Sequence, residues 1–200
     1  MDSLPNLSNG FRIIRTQLLF KLKKTNMLNC TKFKSLRNTK PQEVVNLISV
    51  LNEIKSDKYK EKIEKIREDE NPSKSPLKDR LPVFTPTGQF NHRSIKGLEE
   101  YNGLICLDID HIEEPENLKT KCKSLPYVYS AFVTPSGKGL KVLIKTDATL
   151  ETYKETELKV AEKFKSDTDA IRDNHCKDIA RIQFVSYDPS IYINETSALI

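Results

Sequence analysis

An α+β domain is the fold class this chain predicts, and three observations carry it. Two amphipathic helical stretches come first, short apolar strands take over near residue 80, and a glycine turn joins two adjacent strands. The Pro135-to-Gly139 connection is of hairpin length, so the sheet is expected to be largely antiparallel, flanked by helices and preceded by the two N-terminal ones.

The elements follow in chain order. Residues 1–40 are irregular, with Asn9-Gly10 and one short helical pattern from Phe11 to Leu22. Pro41 sits where a first helical turn tolerates proline, and Val44, Leu47, Ile48, Leu51 and Ile54 recur at helical spacing, so a helix is expected there. Ser56-Asp57 offers caps to a second helix carrying Tyr59, Ile63 and Ile66, and Asn71-Pro72-Ser73-Lys74-Ser75-Pro76 ends it. Pro82 to Phe90 reads as extended with a turn at Thr85-Pro86-Thr87-Gly88. Beyond it the pattern gives a strand at 104–110, a helix at 115–123, strands at 127–133 and 140–145, a helix at 150–165 and a strand at 180–187.

Composition narrows the class. In 200 residues, 37% apolar and 30% charged, with six glycines and ten prolines, there is enough material for one core and no sign of a fibrous or low-complexity chain. Runs such as Leu18-Leu19-Phe20 are broken by lysines far short of the ~20 residues that span a bilayer, and no cleavage site of small residues follows. No membrane is expected as a partner, and the expected compartment is the cytoplasm. Cys30, Cys106, Cys122 and Cys176 are scattered, without a Cys-x-x-Cys pair and with three histidines in the chain, which argues against zinc and for reduced thiols. His175 and Cys176 are neighbours in a loop and make a poor tetrahedral pair.

Charge is unevenly placed. Residues 1–41 carry nine basic side chains and one acid, a net +8 against +5 for the whole chain, so the remainder nets −3. A basic arm before a mildly acidic body is suited to phosphate polymers, since each cation can displace a condensed counterion.

The chemistry is concentrated in three stretches. In Gly103-Leu104-Ile105-Cys106-Leu107-Asp108-Ile109-Asp110-His111, strand alternation puts Asp108 and Asp110 on one face at the strand's end. Two such carboxylates repel unless a cation lies between them, and hard Mg²⁺ or Mn²⁺ with phosphate oxygens is the usual solution. An apolar strand running into the acidic loop of Glu113, Glu114 and Glu116 would give the same pattern without chemistry. In Thr134-Pro135-Ser136-Gly137-Lys138-Gly139-Leu140-Lys141, the glycines Gly137 and Gly139 let backbone N–H groups converge on an anion, while Ser136, Lys138 and Lys141 supply a hydroxyl and charge. It is not a Walker A loop, because a strand follows it. The third stretch, Asp173-Asn174-His175-Cys176-Lys177-Asp178-Ile179-Ala180-Arg181, offers a third carboxylate and an arginine, and spacing does not choose between Asp173 and Asp178.

These residues, with Leu81-Pro82-Val83-Phe84-Thr85-Pro86-Thr87-Gly88-Gln89-Phe90 and Ser186-Tyr187-Asp188-Pro189, resemble the VirE N-terminal domain family of the archaeo-eukaryotic primase superfamily. The resemblance runs from about Phe33 to Asn194 and leaves residues 1–32 as a basic, poorly ordered arm before a 33–200 domain. It implies a primase-polymerase-like catalytic core with an RRM-like sheet, in a replication protein of a mobile element or phage. It also implies two divalent ions, Mg²⁺ or Mn²⁺, held by Asp108, Asp110 and Asp173, with Asp178 in reserve. Ser136, Gly137, Lys138, Gly139, Lys141 and Arg181 would bind the nucleotide. Lys141 stands where the superfamily usually has a histidine, which puts activity in doubt. The implied partners are nucleoside triphosphates, a single-stranded DNA or RNA template, and a helicase or ATPase domain or protein. The basic arm would hold template.

Two other readings compete. One is a non-catalytic nucleic-acid-binding module of the same fold, with steep salt dependence and no metal requirement. The other is a haloacid-dehalogenase-like phosphohydrolase, whose first motif also ends a strand in Asp-x-Asp. Its further acidic motif has no convincing counterpart here, and its first Asp normally lies near the start of a parallel-sheet domain.

Overall fold

The computed structural model describes residues 27–174 and 178–200. Two four-stranded sheets and one two-stranded ribbon are built from β1 (Asn29–Phe33), β2 (Glu43–Asn46), β3 (Val83–Thr85), β4 (Gly88–Phe90), β5 (Leu98–Tyr101), β6 (Leu104–Asp110), β7 (Val128–Val133), β8 (Gly139–Lys145), β9 (Gln183–Phe184) and β10 (Tyr192–Ile193). The helices are α1 (Leu47–Lys55), α2 (Lys60–Arg67), α3 (Pro115–Lys123) and α4 (Tyr153–Thr168). Strand order is β2-β1-β3-β9 in the first sheet, β10-β7-β8-β6 in the second and β4-β5 in the ribbon, and every ladder is antiparallel. The α+β class therefore holds. No helix among the described residues is long and apolar enough to cross a membrane.

The second sheet is apolar on both faces because both are covered. Ile105, Leu107, Ile109, Val142 and Ile144 pack with Leu118 and Cys122 of α3 and with Val160 and Phe164 of α4. Leu104, Cys106, Phe132 and Leu143 face the other way, onto Leu51 and Ile54 of α1, Ile63 and Ile66 of α2, and Cys30 and Phe84 of the first sheet. Asp108 and Asp110 follow Leu104 and Cys106 on that face, so the two carboxylates emerge where the core between the sheets gives way to solvent.

Three expected elements are corrected. The N-terminal helices do not precede the sheet: β1 and β2 come first, and the helix expected from Pro41 starts at Leu47. Val44 and Val45 prefer the extended pairing with Cys30 and Thr31, and the cap is Asn46, whose Oδ1 accepts from the Ile48 N–H at 3.1 Å. Residues 29–32 of the expected arm belong to β1; residues 1–26 lie outside the description. Lys32 does not project as arm charge, being 6% exposed and ion-paired with Glu53 at 3.0 Å and Glu43 at 3.4 Å.

The strand expected at 180–187 shortens to Gln183–Phe184, because the chain there crosses between sheets. The Val185 N–H donates to Pro82 O, whereas the Ser186 hydroxyl donates to Val133 O, at the end of β7.

The second sheet has the split β-α-β-β-α-β order through β6, α3, β7, β8, α4 and β10, with β8 between β6 and β7. It departs from an RRM-like sheet in its last strand, which lies outside β7 instead of beside β6. The cause is local: the Asp188 carboxylate accepts from the Val133 N–H at 2.9 Å and so delivers the returning chain to the β7 edge. The outer edge of β6 is thereby left to a loop.

Candidate metal and nucleotide site

Antiparallel register assembles the first half of the site. Asp108 pairs with Lys141 and Asp110 with Gly139, so the Asp-x-Asp end of β6 and the glycine turn are neighbours. Lys141 Nζ forms an ion pair with Asp108 Oδ2, both side chains being nearly buried. Asp108 Oδ1 has no hydrogen-bond partner among the described residues. Burial raises the Asp110 pKa above the usual carboxylate range, the Asp108 charge and more weakly the Asp173 charge add to this, and Lys141 and His111 oppose it.

The open edge of β6 supplies the third acid. The Asp173 N–H donates to Asp108 O at 2.7 Å, which brings the loop after α4 against the strand and Asp173 into the same cleft. Arg172 braces that loop through the buried Glu157 of α4 at 2.6 Å and through Asn174 Oδ1 at 2.8 Å. Asp178 is exposed and outside the cleft wall, whereas Asp173 lies on it. His175 and Cys176, weighed above as metal ligands, lie outside the described residues.

The cleft holds about 350 Å³ and is walled by Asp108, Asp110, Asp173, Ser136, Lys138, Lys141 and Arg181, with His111 from the end of the first motif and with Lys78 and Gln183, which no sequence motif singles out. Lys78 donates to Ser73 O at 3.0 Å and lies over the Phe184 ring. Burial lowers its pKa, and the nearby Lys141 charge lowers it further. Gln183, 1% exposed, has an Nε2 without a partner among the described residues. Nothing in the sequence signals either residue, since both reach the cleft by long-range packing.

The glycine turn differs from the anion cradle expected of it. The Gly137 N–H donates to Thr134 O at 3.0 Å and the Lys138 N–H to Ser136 Oγ at 3.4 Å, so these groups close the turn. Gly137 is there for its φ of 74°. Gly139 is there for close approach, because a Cβ would stand 2.8 Å from Ile109 O and 3.1 Å from Asp110 Oδ1. Of the turn residues expected to meet an anion, Ser136, Lys138 and Lys141 line the cleft. Behind the turn, Arg67 donates to Tyr187 O at 3.0 Å and Thr134 O at 3.4 Å.

The donor set is suited to a hard divalent cation: oxygen ligands, one carboxylate oxygen without a partner among the described residues, and a second carboxyl whose ionisation burial and the Asp108 charge oppose. Among the described residues no three His, Cys, Asp or Glu side chains are yet gathered as a cage. The Lys141 ammonium serves as the cation beside Asp108. The phosphohydrolase reading loses its architectural basis, since β6 is an edge strand of an antiparallel sheet.

Fold and cleft together define an α+β domain with an acid-and-base-lined cleft at the end of an edge strand. Residues 76–193 match the family model of the BT4734-like N-terminal domain, and the chain belongs to that family. This corrects the resemblance drawn from the motifs: the family is not a VirE or primase-polymerase one, and the matched segment starts at residue 76, not near Phe33. No curated protein and no solved structure matches the chain.

Proposed function

We propose that the cleft binds a nucleoside triphosphate with a divalent cation, Mg²⁺ or Mn²⁺, and supports nucleotidyl transfer on a single-stranded nucleic-acid template. One observation carries this reading: Asp108, Asp110 and Asp173 converge with Lys138, Lys141 and Arg181 on one open cleft. Carboxylates alone would serve a metal and cations alone an anion, whereas a metal-bound polyphosphate needs both.

Asp108, Asp110 and Asp173 would hold the cation. When bound, it favours ionisation of an attacking 3′-hydroxyl and neutralises charge on the departing pyrophosphate. Lys138 and Lys141 neutralise triphosphate oxygens, and the Ser136 hydroxyl donates to them. Arg181, on the same cleft, adds a planar guanidinium donor. The buried floor formed by Asp108 and Gln183 limits water on one side of the reacting groups. Positioning and charge neutralisation, not covalent chemistry, are the protein's share.

The test is incorporation of labelled dNTP and NTP on primed and unprimed single-stranded templates with Mg²⁺ or Mn²⁺. Metal-dependent product is expected, falling by about 100-fold or more in Asp108→Asn/Asp110→Asn. Absence of product from the wild type on every template, or product unaffected by the double change, overturns the reading. A second reading, strand binding without chemistry, draws on the Lys141–Asp108 ion pair, in which an internal cation already occupies Asp108. It predicts salt-sensitive binding that ignores divalent ions.

A further inference from the structure

A second cleft, of about 430 Å³, lies beside the first and is lined by Lys34, Arg37, Arg80 and Asp79 with Ser35 and Asn38. Two chain segments lie between them. In the loop after β1, Leu36 faces the acidic cleft while Lys34 and Arg37 face the second, and in the Lys78–Arg80 turn Lys78 faces the first while Asp79 and Arg80 face the second.

The basic cleft is preorganised. Asn38 N–H donates to Ser35 O and Ser35 Oγ to Asn38 Oδ1, Arg93 donates from its backbone to Thr39 O and from its guanidinium to Leu36 O, and the Arg80 N–H donates to Leu77 O. Its three cations face one acid: Asp79 lies 3.8 Å from Arg37, and among the described residues neither Lys34 nor Arg80 forms an ion pair. Exposed cations on a fixed loop keep their charge available, and their side chains alternate with small polar groups able to bond phosphate oxygens.

We infer that this cleft binds the phosphodiester backbone of a single strand, on the other side of the loop after β1 and the Lys78–Arg80 turn from the Asp108 cleft. Identifying the ligand as the template rests on the proposed function; the binding measurement does not. A free anion would satisfy one or two of these cations, but Lys34 and Arg37 on one segment and Arg80 on another spread three along the cleft, which suits the successive phosphates of a polymer.

The experiment is fluorescence anisotropy of a labelled oligothymidylate at increasing salt, without divalent ion or nucleotide. It compares the wild type, Arg37→Ala/Arg80→Ala, and a charge-matched control, Lys123→Ala/Lys154→Ala, made at exposed positions on α3 and α4. The cleft variant is expected to bind about tenfold or more weakly, with a log–log salt slope shallower by about 1.4, roughly 0.7 for each single-strand phosphate left without its cation. The control should follow the wild type. Equal weakening in both variants, or none in either, overturns the inference and leaves binding to other basic residues. If inorganic phosphate at matched phosphate concentration abolishes the difference between the cleft variant and the wild type, the cleft is a free-anion site and the inference also fails. Failure here leaves the incorporation assay untouched, and a negative incorporation assay leaves this binding result standing.

Discussion

Two buried lysine–aspartate pairs support the same turn from opposite ends, and they are finished to different degrees. Lys119, 0% exposed, donates to both oxygens of Asp188 at 2.6 and 2.8 Å, and to Ser190 and Glu116 at 2.8 Å each. Asp188 also accepts from the Val133 and Ser190 N–H groups. Lys141 meets Asp108 through one oxygen only, the other having no partner among the described residues, and the pair lines a cleft. A charge taken out of water is tolerated when its hydrogen-bonding capacity is met, so the first pair is complete as architecture. The second has capacity left for something that enters.

Breaking the complete pair should have the largest effect. Lys119→Ala leaves Asp188 buried without its cation, and a destabilisation of about 3–5 kcal/mol is expected in urea unfolding. A change within the noise would mean that water or Ser190 replaces the lysine, and the contrast between the pairs would disappear.

Gly139→Ala tests the turn between them. Its Cβ would press on Ile109 O and Asp110, and a cost of about 1–3 kcal/mol is expected, together with displacement of Asp110. The same unfolding measurement, with and without Mn²⁺, separates the two consequences.

Lys141→Met sharpens the comparison at the open pair. Without metal it should cost about 1–3 kcal/mol, less than Lys119→Ala because Lys141 meets one oxygen of Asp108 whereas Lys119 meets both of Asp188. Mn²⁺ should then raise the melting temperature of the variant more than that of the wild type, since the internal cation no longer competes and ligand binding to the folded state adds stability. An identical Mn²⁺ shift would show that Asp108 is not a ligand.

Asp110→Asn should have the smallest effect on the metal-free protein, and its sign depends on pH. With its folded pKa raised, Asp110 contributes full stability at pH below the ordinary aspartate range and loses it as pH rises through the raised value. The asparagine variant should therefore match the wild type in acid and exceed it slightly at neutral pH. Added Mn²⁺ should reverse the order. Melting temperatures across that range, with and without the ion, provide the check.

Much of the site was legible in the sequence because its geometry is local. Strand alternation put Asp108 and Asp110 together, and the hairpin length of the Thr134-to-Lys141 segment put the turn next to a strand end. The helix expected at 115–123 matches α3. The helix expected from Pro41 was misplaced because Val44 and Val45 suit either periodicity until β1 is present to pair with them. Lys32 counted as solvated charge until Glu53 of α1 closed over it. Ser186 and Asp188 read as a motif, yet their work, holding Val133 at the mouth of the turn, is visible only once β7 is beside them.

By itself the sequence determined the α+β class, the paired carboxylates and the basic turn, since each depends on residues within about ten positions of one another, where backbone period dictates direction. Tertiary structure alone decided the rest. It sent β10 to the β7 edge, left the β6 edge for Asp173, laid Lys141 on Asp108, and set a second basic cleft against the first. Those outcomes depend on which buried groups find partners across the whole chain, and no local period encodes that.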